Sequence, residues 1–406
     1  MSDVYLLGVG MTRFGKHPGE SVKSLTASAV AAALADAGLA AEDIQAAWFA
    51  NTRQPMLEGQ NTIRGQIALR AAGLSGIPIC TLENACASGT TALWSAMMAL
   101  RSGMADVVLI AGAEKMVYPD RPEKVAASFA GGTDVHDREA VLGYIRAMGG
   151  NPPEGGRSLF MDIYAAQARG HMARFASSVE DLARIAAKNH CAGSRNPNAQ
   201  YRTPFSVEQV LADKAIVYPF TRAMCAPVSD GAAAAVLVSE RVLQQHGAAR
   251  AVRVRSCVLR SAIERPSDDY SRHIGRLAAL QAYEQAGIGA ADVDLVEVHD
   301  ATAFAELQQI ENLGLAERGT VGARLAMGDF ALGGKCPVNP SGGLLAKGHP
   351  VAATGIAQLF ELVTQLRGEA GARQVERARI AVAENGGGFL GVEEGVTAVT
   401  VLEQPQ

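Results

Sequence analysis

At 406 residues the chain is long enough for one large domain or for two packed halves, each with its own core. Hydrophobic residues make up 48% and charged residues 19%, an ordinary globular balance, and a net charge of −4 leaves no basic footprint for nucleic acid. No run of about eighteen or more apolar residues is present, so no membrane span is expected. The Met1-Ser2-Asp3 start lacks the regions of a secretory leader, so a cytoplasmic location is expected.

Abundant glycine and alanine with few aromatics favour close helix-on-sheet packing. Val4 to Val9 reads as a strand, and Ser21 to Ala37 as a helix with a serine start and a stop at Gly38. Strands follow at Ala46 to Ala50, Ile77 to Thr81 and Val107 to Ala111. Between about Met116 and Phe160 the chain carries several Pro and Gly and mixed charge. That stretch is longer than a typical connection and predicts an elaborated loop region near a site or an interface.

Apolar runs of strand length alternating with Ala/Leu-rich stretches of helical period predict an α/β fold. Residues 33–50, ALADAGLAAEDIQAAWFA, are echoed by residues 282–298, AYEQAGIGAADVDLVEV. Each is a helix end, an Ala-Gly-aliphatic stop, an Asp before a β-branched residue, and an apolar strand. VVLIAGAE at 107–114 is likewise echoed by ARIAVAE at 378–384. Two matches in the same order predict a duplicated βαβ construction, with halves at 1–250 and 251–406.

Cysteines stand at 80, 86, 191, 225, 257 and 336, with no CxxC pair and no zinc-type cluster. No metal site is expected, and most of these thiols should be reduced and buried. Cys86 differs in its neighbourhood. Glu83-Asn84-Ala85-Cys86-Ala87-Ser88-Gly89 links a short strand to a helix, where the helix amino terminus favours thiolate. A buried structural cysteine is the competing reading.

In Asn339-Pro340-Ser341-Gly342-Gly343-Leu344-Leu345-Ala346-Lys347-Gly348-His349-Pro350, glycines and proline restrict His349. A held imidazole is the base that a nucleophilic thiol needs; the plainer reading is a surface-loop histidine. The Lys347-Gly348-His349 order excludes a Walker loop. Glu297-Val298-His299-Asp300-Ala301-Thr302 ends the echoed strand, on the edge where α/β sheets place ligands. Glu384-Asn385-Gly386-Gly387-Gly388 offers backbone N–H groups to an anionic oxygen. Gly8-Val9-Gly10 starts like a dinucleotide fingerprint, but Arg13 stands at its third glycine. His17, His136, His171, His190, His246 and His273 lie in polar or helical stretches and read as bland.

These four segments, in this order and spacing, resemble the thiolase superfamily over nearly the whole chain. The His-Asp start of the third motif and PVSDGAAAAVLVSE at 227–240 are most similar to its sterol-carrier-protein branch. The resemblance implies a thiolase fold: two βαβαβ halves in a five-layered α-β-α-β-α sandwich, usually a homodimer. It implies acyl-CoA and coenzyme A as substrates, with no tightly bound cofactor. Cys86 would be the acylated nucleophile and His349 its base, with His299 holding a thioester oxygen. The N–H groups of Cys86 and Gly386 would form an oxyanion hole, and Ser229, Asn339 and Ser341 would contact substrate. The implied activity is thiolysis of a 3-oxoacyl-CoA, or the reverse Claisen condensation.

The chain departs from the family where a second, acid/base cysteine is expected. The two places for it hold Ala301 and Glu384, the latter followed by Asn385. Cys336, Glu384, Asn385 or His349 would then supply the proton. Otherwise the reaction is an acyltransfer or retro-aldol cleavage on an aromatic or steroid-like acyl-CoA, with an OB-fold zinc-ribbon partner. A non-catalytic scaffold subunit is the competing class.

Overall fold

The computed structural model describes residues 3–151, 157–246 and 249–405. In chain order its strands are β1 (Val4–Met11), β2 (Ala46–Ala50), β3 (Ile79–Leu82), β4 (Val107–Glu114), β5 (Ala215–Val217), β6 (Phe220–Thr221), β7 (Gly231–Ser239), β8 (Val252–Ser261), β9 (Leu295–Glu297), β10 (Ile380–Gly387) and β11 (Val396–Glu403). β5 and β6 form a small hairpin, and the other nine make one sheet in the order β3-β2-β4-β7-β1-β8-β11-β10-β9.

That order repeats itself about its middle. β2 lies parallel between β3 and β4, and β4 is followed across the sheet by antiparallel β7 and then β1. β9 lies parallel to β10, which is followed by antiparallel β11 and then β8. The place of β3 is taken in the second set by Val338, which bridges Val296 in parallel. Antiparallel β1 and β8 join the sets through Val4↔Val254 and Leu6↔Val252.

Side chains alternate between the two faces of each strand, and the cores follow. Leu109, Ala111 and Val236 pack under the helix Val22–Ala37. Val108, Ile110, Leu237, Ala381 and Leu402 face the helices Ser88–Arg101 and Thr354–Leu366. Val258, Val382 and Val399 pack with the helices Ile274–Ala286 and Ala303–Asn312. The layers run helix, sheet, helices, sheet, helix, with the sheet continuous through β1 and β8. No described helix is long and apolar enough to cross a membrane.

The echoed segments fold alike for a local reason. Ser21 caps the first helix, and both helices stop at a left-handed glycine, Gly38 (φ 67°) and Gly287 (φ 65°). In the short turn that follows, Asp43 accepts the Ala40 N–H at 2.8 Å and Asp292 accepts the Gly289 N–H at 2.8 Å. Each carboxylate thus sets the angle at which the next strand enters the sheet.

Two expectations change. The 116–160 stretch holds two helices, Pro122–Ala130 and Arg138–Ala147, with residues 152–156 outside the described set. Only Cys257 and Cys336 are fully buried thiols, while Cys80 and Cys191 are exposed. Gly8 and Gly10 serve packing: a Cβ on Gly8 would overlap Ala33 O and Ala37 N, and one on Gly10 would overlap Ala29 O and Ala33 N. Gly8→Ala and Gly10→Ala should each lower stability by about 1–3 kcal/mol through overpacking. Gly19→Ala, whose methyl meets nothing within 4 Å, should leave the urea midpoint unchanged.

Candidate active site

The chain leaves β3 and turns sharply at Ala85, whose φ of 48° is left-handed. Ser88 Oγ accepts the Asn84 N–H at 2.7 Å and donates to Ala85 O at 2.6 Å, closing the turn. Cys86 is held there, one residue before the Ala87 N-cap of the helix Ser88–Arg101.

Across from it, Ser229 Oγ accepts the His349 N–H at 3.0 Å. Thr354 Oγ1 donates to Pro350 O at 3.1 Å, so its contact with His349 Nδ1 at 2.7 Å makes Nδ1 the protonated nitrogen. Nε2 is left as an acceptor, 3.3 Å from Cys86 Sγ. This is the geometry of a thiol and its general base.

The His299 and His349 rings stand 5.0 Å apart, edge to face. Thr90 Oγ1 lies 2.9 Å from Asn385 Oδ1, and Asn385 Nδ2 donates to His299 Nδ1 at 3.2 Å. The His299 proton is therefore on Nε2, leaving a neutral N–H donor for the cavity. Among the described residues, Cys86, His299 and His349 are the one set of three such side chains with ligand atoms within 4.8 Å of one another. Gly387 and Gly388 close the cavity floor. A Cβ on Gly387 would lie 2.8 Å from the Cys86 N, so only glycine fits.

The family model described as "Thiolase, N-terminal domain" matches residues 4–218, and the one described as "Thiolase C-terminal domain-like" matches residues 260–400. The chain belongs to the thiolase family. It is 37% identical over 396 residues to an acetyl-CoA acetyltransferase of Methanothermobacter thermautotrophicus, covering 96% of this chain and 98% of that one. It is 35% identical over 397 residues to sterol carrier protein 2 of Rattus norvegicus, covering 94% and 69% respectively. The solved Ltp2-ChsH2(DUF35) aldolase shares the fold with a TM-score of 0.78 at 23% identity, over 99% of this chain and 98% of that chain.

Within this thiolase the remaining expected site residues divide. Ser229 positions His349, as above. Asn339 (φ 54°) accepts the Val298 N–H at 2.8 Å and donates to Glu306 at 2.7 Å. Ser341 donates to Glu297 from N at 3.0 Å and from Oγ at 2.6 Å. Asn339 and Ser341 are buried behind the cavity rather than on its lining. Gly386 lies within β10 opposite Thr397, and the glycine N–H that meets the Cys86 sulfur is that of Gly388.

Of the acid/base candidates, Cys336 packs into the core that includes Tyr283, its thiol pushed up to about 12 by burial. It does not line the cavity, and neither does Glu384. Glu384 accepts the His299 N–H at 3.0 Å and the Thr397 hydroxyl at 2.9 Å. Asn385 orients His299. Three histidines read as bland are buried structural groups: His171 bonds Ser177 and Glu311, His190 bonds Ala223 O, and His273 caps the helix Ile274–Ala286. The His246 side chain lies outside the described residues. Arg53, Met116, Phe129, Phe160 and Tyr164 line the cavity without having been singled out from sequence. For Arg53 the available signal was its place just past the carboxyl end of β2.

Burial works against one expectation. It pushes the Cys86 thiol up to about 11, opposing the pull toward thiolate expected of the helix amino terminus. Arg53 and the Gly388 N–H act in the opposite direction without prevailing. Burial, then the neighbouring His299 and Arg53, hold His349 well below the usual imidazole range. Burial holds His299 down to about 4. The resting pair is thiol and neutral imidazole.

Iodoacetamide should therefore alkylate Cys86 at a rate that climbs steadily from pH 7 to 10. A plateau reached below pH 8 would show a preformed thiolate instead. Burial, with Glu394 second, raises Glu384 to about 8. Between its ordinary value and pH 8 the unfolded chain loses this proton while the folded chain keeps it, so stability falls as pH rises. The melting temperature of Glu384→Gln should match wild type near pH 4.5 and exceed it by a few degrees at pH 8.5.

Proposed function

We propose that this thiolase transfers acyl groups to and from coenzyme A through an acyl-Cys86 intermediate, by thiolysis of a 3-oxoacyl-CoA or the reverse Claisen condensation. The observation that carries this is the 3.3 Å contact of Cys86 Sγ with the unprotonated Nε2 of His349, facing the His299 donor in one apolar cavity. A scaffold subunit requires none of that arrangement.

In thiolysis the Cys86 sulfur attacks the keto carbon as its proton passes to His349 Nε2. The C2–C3 bond then breaks, leaving the enolate of a shorter acyl-CoA with its oxygen on His299 Nε2–H. His349 returns the proton to C2. Coenzyme A next gives its thiol proton to His349, its sulfur takes the acyl group, and Cys86 recovers the proton. One base serves every step, so the sequence closes with Ala301 and Glu384 where second cysteines would stand. His349→Ala should slow both half-reactions by about 10²–10⁴-fold.

A route for the coenzyme is supported by a surface groove that shares Ser158, Met161, Ala226 and Pro227 with the cavity. The groove carries Arg202, together with Arg157 and Arg222, which are paired with Asp162 and Asp213, and guanidinium groups suit phosphate. A homodimer is supported by the open edge of β3, which among the described residues has a neighbour strand on one side only. Exposed Trp94 and Met98 on the helix Ser88–Arg101 add to that support.

A second reading, aldolase-type cleavage with an OB-fold zinc-ribbon partner, rests on Ala301 lining the cavity where an acid/base group is expected. Native and intact-mass spectrometry after incubation with a panel of acyl-CoAs separates the readings. Thiolysis predicts an adduct of acyl mass on wild type, none on Cys86→Ala, and a particle of twice the chain mass. The absence of an adduct from every donor would sink the acyl-enzyme and leave the aldolase reading.

A further inference from the structure

The part of the cavity not shared with the groove carries a charge that a plain alkyl group does not call for. Arg53, Met116, Phe129 and Gly132 line the cavity together with Cys86 and are not shared with the groove. Met116 and Phe129 pack in one cluster with Cys86, so they are placed to meet an acyl group carried on its sulfur. Met116, Phe129, Phe160 and Tyr164 make the walls apolar. Into these walls the chain places a guanidinium.

Arg53 is only 9% exposed, and its guanidinium lies 5.2 Å from the centre of the Phe129 ring. Nη1 donates to Ser128 O, the one hydrogen bond of this side chain among the described residues. Nε is buried and has no acceptor among them. Glu114 is close enough to feel the charge, but its oxygens already accept from Asn51 Nδ2 at 3.0 Å, Thr52 Oγ1 at 2.7 Å, the Arg53 N–H at 2.8 Å and the Ala352 N–H at 3.3 Å. A buried cation without a hydrogen-bonded anion is costly. A planar fork of N–H donors answers best to a carboxylate.

We propose that Arg53 binds a free carboxylate on the acyl group, so that the preferred donors are CoA thioesters of dicarboxylic acids and their 3-oxo forms. This rests on the acyl-Cys86 reading and names its substrate class. Phe129 and Phe160 would flank the carbon chain between the thioester and the carboxylate. The cavity encloses about 150 Å³, which suits a short chain.

The competing role for Arg53 is purely electrostatic, since its charge also favours the Cys86 thiolate. That role would act on every donor alike. The test is the rate of acyl-Cys86 formation from succinyl-CoA and glutaryl-CoA, compared with butyryl-CoA and valeryl-CoA of the same chain lengths. Wild type, Arg53→Gln and Arg53→Lys are compared.

Wild type should favour the carboxylated donors by about tenfold or more, the size of a charge-assisted hydrogen bond. Arg53→Gln should slow them about tenfold to a hundredfold more than the neutral donors, and Arg53→Lys should recover part of the ratio. A wild type that prefers neutral donors overturns the proposal, even if neither variant folds. So does an Arg53→Gln variant that slows both classes equally. Loss of adduct from all four donors in wild type would instead bring down the acyl-enzyme reading beneath it.

Discussion

The site depends on one hydrogen bond, between Cys86 Sγ and His349 Nε2, made across 263 residues of sequence. Each partner is fixed by its own turn: Cys86 by the left-handed Ala85, His349 by Ser229 and Thr354. Both groups are half-buried in the cavity wall, and desolvation there costs an ion pair more than it costs a thiol beside a neutral imidazole. The resting sulfur is therefore a poor nucleophile. In the proposed reaction it becomes a good one only as its proton leaves for His349, when a carbonyl carbon is already in reach. Such a site should be quieter toward soft electrophiles while empty than an open thiolate at a helix end.

The loop that carries His349 is held by buried carboxylates. Glu297 takes Ser341 and the Lys347 ammonium at 3.1 Å, and Asp300 takes the Leu344 N–H at 2.6 Å and Asn189 at 2.8 Å. Glu306 takes Asn189 and Asn339 at 2.7 Å each, with Lys188 at 2.9 Å. Burial and the Glu306 charge push Asp300 well above the usual carboxylate range. Groups this costly to bury are tolerated where they satisfy the backbone of an irregular segment. Asn339 and Ser341 belong to this framework, so a motif that resembles a substrate contact works from behind the cavity.

What was legible in the sequence was local. The helix stops at Gly38 and Gly287, the turn carboxylates Asp43 and Asp292 and the strands after them each depend on a few neighbouring residues, so the echo showed. The ordering of Cys86, His299 and His349 was legible through family motifs. What escaped depends on three-dimensional surroundings. The charge state of Cys86 is decided by burial, which a strand–Cys–helix pattern does not report. Cys336 stands three residues before Asn339, yet its side chain packs into the core that includes Tyr283. Arg53 carries no motif and becomes notable only because Phe129, far along the chain, arrives against its guanidinium.

The repeat within the sheet also explains what Glu384 does. VVLIAGAE and ARIAVAE end in glutamates at matching places, Glu114 on β4 and Glu384 on β10. Each is buried, and burial raises each above its ordinary value. Each also reaches the neighbouring parallel strand's end: Glu114 accepts the Thr52 N–H at 3.1 Å past β2, and Glu384 accepts the His299 N–H at 3.0 Å past β9. Glu114 touches no reacting atom, and its work is to close the carboxyl edge of its own half. Glu384 does the same for the other half, and what it fixes there is the backbone of His299. The two third-strand places are followed by the two reacting loops, Cys86 after β3 and His349 after the Val338 bridge. A duplicated half thus brings the proposed nucleophile and base from equivalent edges, with one glutamate bracing each side.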